Sequence, residues 1–233
     1  MTLARLLSRG VGSWLHFEQA SNRSGLFGEK YLALPIGQIL SGNLGERVDA
    51  EFRHPVLAPL MKGRGRRPEV DFVIFDEKPR ISVAVESKWV GSTKPTVQSI
   101  LWDLVRLELI AHQEKAECFF VLAGKKSRLD ELFKTKVFAA EQNWHPHPLI
   151  EYTHNGMHNV NLLPVAKHRN DMLQAMFKDY QDFPFPHHIV ARRSTPYPDP
   201  CSAKLPQVYV WKISASVKRQ TFRPSSIDVY RVT

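Results

Sequence analysis

Cysteine is scarce: only Cys118 and Cys201 occur in 233 residues, far apart, the first inside the apolar stretch ECFFVLA. That leaves no disulfide framework to read, and a reduced, cytoplasmic protein is expected. No run approaches the roughly 18 consecutive apolar residues of a membrane-spanning helix, and no membrane partner is expected. There is no internal repeat and no long low-complexity tract. Acid is in deficit, with 23 Asp and Glu against 32 Lys and Arg, a formal net charge of +9. Such an excess favours polyanionic partners through attraction to phosphates and counterion release, nucleic acid first among them, and generic surface charge is the plainer alternative. The opening MTLARLLSRGVGSWLHF carries no acid before Glu18. A transit peptide shares that texture, but the apolar h-region of a secretory signal is missing, and an ordered N-terminal helix is expected.

What is present is an ordinary globular balance, 43% apolar and 24% charged, in a chain long enough to bury a core without staples. SGLFGEKYLALPIGQIL (24–40) suits a helix capped by Ser24 and ended or kinked at Pro35. RVDAEFRHPVL reads as a strand running into the basic, glycine-broken loop KGRGRR. After the stretch 68–90, the apolar positions Val97, Ile100, Leu101, Leu104 and Leu107 mark a helix beginning near Pro95. CFFVLA is continuously apolar, the pattern of a central strand covered on both faces. SRLDELFKTKVFAAEQN looks helical, with Ser127 and Asp130 in capping-box spacing. Helix, strands, helix, strand, helix predicts an α/β fold with a mixed sheet over residues 1–143. From 144 to 233 most of the 16 prolines and many His and Asn residues accumulate, which predicts a loop-rich C-terminal extension whose late strands QVYVWKIS and SIDVYRVT pair.

One stretch breaks the pattern. PEVDFVIFDEKPRISVAVESKWV (68–90) is an apolar hairpin around the turn DEKPR, yet it holds Asp71, Glu86 and Lys88. Alternation sends Glu86 and Lys88 to one face of the second strand. Asp71 and Glu86 are equidistant from a centre within DEKPR, so a near-symmetric turn sets them directly opposite, with Cβ atoms about 5 Å apart. Opposed like charges are unfavourable unless a cation lies between them. Magnesium, a hard ion satisfied by one or two carboxylates, a carbonyl and waters, fits that requirement. A solvated sheet end with Glu86 paired to Lys88 fits the spacing equally well.

PEVD, a hydrophobic hairpin and then VAVESKW resemble the PD-(D/E)XK nuclease superfamily, over about residues 24–125. Pro68 and Asp71 are not adjacent, a departure from the bare motif. The resemblance implies a restriction-endonuclease-like mixed sheet flanked by helices and metal-dependent phosphodiester hydrolysis, as a DNA endonuclease. Asp71 and Glu86, with the Ser87 carbonyl, would hold Mg2+ or Mn2+, and Lys88 would orient the nucleophile or stabilise developing charge. Glu29 resembles the additional helix-borne acid of many members, and Gln98 with Trp102 the glutamine-plus-aromatic motif of some branches. A homodimer or a separate recognition protein is a further implied partner. A nuclease-fold module that binds nucleic acid or a partner protein without cutting stands as the alternative.

Lys62, Arg64, Arg66 and Arg67 precede Asp71 and suit the nucleic-acid backbone, with Gly63 and Gly65 allowing close approach; a solvated turn is as good a reading. Gln98 and Arg106 are placed to face the site from the following helix, and Lys125 and Lys126 fall at a strand end where phosphate would be met. Histidines recur between His145 and His188, including His154 and His158 four residues apart. Without cysteine, and with Asn155 and Gly156 between that pair, a zinc site is not expected.

Overall fold

In the computed structural model the described residues are 1–45, 47–60, 67–76, 80–91, 95–139, 147–163 and 167–228. The chain opens with α1 (Leu3–Ala20) and α2 (Glu29–Leu44), then β1 (Val48–Arg53), β2 (Glu69–Phe75), β3 (Ile81–Val90), α3 (Val97–Glu114), β4 (Glu117–Lys125) and α4 (Lys126–Phe133). It continues through β5 (Gly156–Asn161), α5 (Asn170–Phe177), β6 (Phe185–Pro186), β7 (His188–Arg193), β8 (Pro206–Ser214) and β9 (Thr221–Phe222). Seven strands form one mixed sheet in the order β1-β2-β3-β4-β8-β7-β5, parallel only between β3 and β4, and β6 pairs with β9 apart from it. Helices cover both faces. Among the described residues no helix is long and apolar enough to cross a membrane.

Two apolar layers hold the sheet. On one face Leu7, Val11 and Leu15 of α1 and Leu32, Ile36 and Leu40 of α2 pack against Phe72, Ile74, Val83, Val85, Phe119 and Val121. On the other, Ile100, Leu104 and Leu107 of α3 meet Val73, Ala84, Phe120 and Leu122. Phe119 and Phe120 thus point to opposite layers, which is why CFFVLA is apolar throughout and sits as the middle strand of the seven.

Several expected boundaries move. Ser24–Leu26 is a separate 3-10 turn and Gly28 occupies the N-cap of α2, so the helix begins at Glu29. Pro35 neither ends nor bounds α2; it is buried within the helix, which runs on to Leu44. A proline in a helix interior costs about 3 kcal/mol, whereas burial of Leu32, Ile36 and Leu40 contributes about 1.5–3 kcal/mol each, so packing wins. α4 starts at Lys126 without a side-chain cap and stops at Phe133; Asp130 binds Lys126 rather than completing a capping box. QVYVWKIS forms β8, but its neighbours are β4 and β7, leaving no ladder side for SIDVYRVT, of which 229–233 lie outside the described residues. Six successive buried residues in β8 are the mark of an interior strand. Through β8, β7 and β5, the residues after 147 share the sheet that carries β1–β4.

Candidate active site

The site forms where β2 and β3 part. Phe72 pairs with Val85, Val73 with Ala84 and Ile74 with Val83, a register that carries Asp71 to the position opposite Glu86, as the hairpin arithmetic requires. The ladder shifts only near the turn, where Phe75 meets Ile81. Beyond Phe72 and Val85 the strands separate, and the Asp71 side chain replaces the next ladder bond: its Oδ2 accepts from the Ser87 N–H at 2.7 Å and the Ser87 hydroxyl at 2.8 Å. A residue's N–H and C=O leave a strand on the same side, so the Ser87 carbonyl faces Asp71 as well.

Three charges from α2 and α3 converge on Glu86 and Lys88 of β3. Glu29, first residue of α2, accepts from Lys88 Nζ at 2.8 Å. Lys88 Nζ also lies 3.2 Å from Asp103 Oδ2 and 3.4 Å from the Ser87 carbonyl oxygen. Arg106, one helical turn beyond Asp103 on α3, donates through Nε to Glu86 Oε1 at 2.8 Å and through Nη2 to Asp103 Oδ1. Glu86 is fully buried, and its second oxygen, Oε2, has no hydrogen-bond partner among the described residues. Burial, reinforced by Asp103 and only partly opposed by Arg106, pushes the Glu86 carboxyl well above the usual range. Burial likewise raises Asp103 to about 6 against the pull of Arg106 and Lys88. Burial works the other way on Lys88, but Asp103 and Glu29 outweigh it, so the ammonium is held charged.

His54 braces this cluster from behind. It is buried just after β1; its Nδ1 accepts the N–H groups of Val56 and Leu57, so Nε2 carries the proton and donates to the Arg106 carbonyl at 3.0 Å. Burial, first of all, lowers its pKa to about 4. Glu51 stands across β1 from Asp71, between the pairs Ala50 with Phe72 and Phe52 with Val70, in the left-handed region at φ 51°. That conformation is uncommon for a residue with a Cβ.

A groove of about 740 Å³ opens over Asp71, Ser87 and Lys88, with Glu29, Glu51 and Arg67 on its walls. The groove therefore gathers Asp71, Ser87, Lys88 and Glu29 with Arg67 beside them, while Glu86 is fully buried and does not line it. Lys62, Arg64 and Arg66 lie outside the described residues. Gln98 sits in the first turn of α3 and does not line the groove, while Trp102, partly buried, packs edge-on to Tyr180 at 5.3 Å. Of the two α3 residues expected to face the site, Arg106 lines the groove and Gln98 does not. Lys125 ends β4 and lines a different cavity, and Lys126 is paired to Asp130. Sequence reasoning missed Asp103, although an acid inside ILWDLVRLELI signals a charge committed to the core; nothing in the sequence signals Glu51.

The donor set suits a hard divalent ion. Asp71 is already oriented, Glu86 keeps one buried oxygen without a partner, and the Ser87 carbonyl lies on the same side. Among the described residues no three His, Cys, Asp or Glu side chains enclose a metal by themselves, since Lys88 and Arg106 interleave with the acids. Two carboxylates, one carbonyl and waters are the coordination that Mg2+ accepts. In the histidine-rich segment, His147 and His158 of β5 stand with ring centres 6.0 Å apart. No family model, no curated protein and no solved structure matches this chain.

Proposed function

We propose that this protein is a metal-dependent nuclease of the PD-(D/E)XK type that hydrolyses phosphodiester bonds, acting as an endonuclease on DNA with Mg2+ or Mn2+. The observation that carries the reading is the register that sets Asp71 at the position opposite Glu86 where the strands part, with Lys88 two residues further along β3. Asp71, Glu86 and the Ser87 carbonyl would hold the ion. A bound divalent ion supplies Lewis-acid charge and lowers the pKa of the attacking water. Ser87 fixes the Asp71 carboxylate through two hydrogen bonds, so that it enters the site in one orientation. Lys88, anchored by Glu29 and Asp103, keeps a positive charge where negative charge develops on the phosphate. Arg67 on the groove wall meets the flanking backbone.

One feature favours the second reading, a module that binds without cutting: the Arg106 guanidinium already neutralises Glu86 and Asp103. The test is to incubate the protein with plasmid, linear duplex, single-stranded DNA and RNA in magnesium, manganese or chelator. Metal-dependent cleavage that disappears in Asp71→Ala and Lys88→Ala, while salt-sensitive binding persists, is the expected result. Binding without cleavage under every condition would replace the nuclease by the binding module.

A further inference from the structure

A second cavity, about 310 Å³, lies on the α1 and α2 side of the same strand end. Trp89 follows Lys88 on β3 and points to the opposite face, and Phe27 precedes Glu29 by two residues, so this cavity and the groove are built from adjoining residues of the same two segments. The Phe27 ring meets Trp89 edge-on, with centroids 5.5 Å apart and planes at 68°, which props the indole while leaving it partly exposed. Gly91 provides the room, since a Cβ there would come within 2.7 Å of Trp89 Nε1. Opposite the aromatic wall stand Lys125, at the end of β4, and Lys204, before β8; both are exposed, and neither has an acidic partner among the described residues. Arg128, also on the rim, is committed to Glu131.

A braced aromatic face beside two uncommitted ammonium groups is the chemistry that takes a nucleobase and its phosphate. The cavity is at the small end of ligand pockets, sized for one such unit and not for a duplex. A base offers its ring face only when it is out of the stack. We infer that this pocket takes up one unpaired nucleotide, its base against Trp89 and its phosphate against Lys125 and Lys204. The substrate class is then DNA that is single-stranded, or has a single-stranded segment, next to the cleaved bond; this last step rests on the nuclease reading above.

The test measures binding in chelator, where cleavage cannot contribute, using a labelled thymidine oligonucleotide and a blunt duplex. The oligonucleotide is expected to bind more tightly than the duplex. Trp89→Ala should weaken it roughly tenfold and leave duplex binding in place. Because Trp89 packs on the core, thermal melting followed by circular dichroism accompanies that variant. The exposed double variant Lys125→Ala with Lys204→Ala, which should lower oligonucleotide affinity without lowering the melting temperature, keeps the test sound if Trp89→Ala unfolds. A preference for the duplex, or an unchanged oligonucleotide affinity in the lysine variant, overturns the pocket. The two readings fail separately: selective binding with no cleavage in magnesium removes the nuclease and keeps the pocket, whereas cleavage with unaltered binding in both variants does the reverse.

Discussion

Asp103 shows how much of the site is held by a residue that need not touch substrate. It is 1% exposed, and its two oxygens are divided between the Arg106 guanidinium and the Lys88 ammonium. Lys88 therefore has two carboxylate neighbours, Glu29 from the exposed side and Asp103 from the buried side, and removing the buried one frees its head to follow Glu29. Asp103→Asn keeps the shape but not the charge. We expect it to lower metal-dependent cleavage by about 10–100-fold, the usual cost of removing an outer-shell partner at a metal site. It should leave DNA binding in chelator nearly unchanged. Cleavage rates at saturating magnesium, set beside anisotropy in chelator, check this. An Asn variant as fast as wild type would reduce Asp103 to a structural ion-pair partner. The same residue marks the limit of legibility at this scale. Asp71, Glu86 and Lys88 were readable because strand alternation and hairpin symmetry are local rules. Of the partners of Asp103, Lys88 comes from β3, and no local rule reports a strand's distance to a helix.

At the scale of elements, the hairpin and α3 were readable from periodicity, while α2 and β8 were misjudged for physical reasons. Pro35 is a local helix breaker overruled by tertiary burial, and β8 was assigned to the wrong neighbour because pairing between distant strands leaves no trace in either strand alone. The contact of His54 with the Arg106 carbonyl is another such link, tying the segment after β1 to α3 across 52 residues. It carries a pH signature. The His54 pKa is lowered to about 4, below its ordinary value, so its neutral form stabilises the fold fully above the unfolded pKa. That contribution is lost as pH falls from the ordinary histidine range toward 4. Between pH 7 and 4.5 the loss is about 2–3 kcal/mol. Asp103, raised to about 6, acts in the opposite sense over an overlapping window, so the wild-type curve alone is not diagnostic. The difference between wild type and His54→Gln in urea unfolding is. The variant should be destabilised at pH 7 and show a smaller loss on acidification. Parallel curves for the two proteins would mean that His54 does not titrate in this window.

Besides the Trp89 pocket, the described residues offer the charge excess of +9 two further cavities on which to act. One is the groove with Arg67 on its wall. The other is a cavity of about 690 Å³ beside the start of β4, lined by Arg5, Arg192 and Lys212. At the second cavity Lys212 is tied to Glu117, and Arg193 is spent on the carbonyl oxygens of Tyr152 and Thr153, so much of the local positive charge already has partners. On the nuclease reading, nucleic acid lies along the groove, where Arg67 stands beside the site. Each phosphate contact contributes roughly −0.9 to the slope of log affinity against log salt on a duplex. Arg67→Ala should make that slope shallower by about one and weaken binding alike for unrelated sequences. Arg192→Ala should leave it unchanged. Titrating both variants and wild type by anisotropy in chelator, from roughly 50 to 200 mM salt, makes the comparison. If Arg192→Ala flattened the slope and Arg67→Ala did not, the backbone would run past β4 instead, and the candidate site would lie off the path of its substrate.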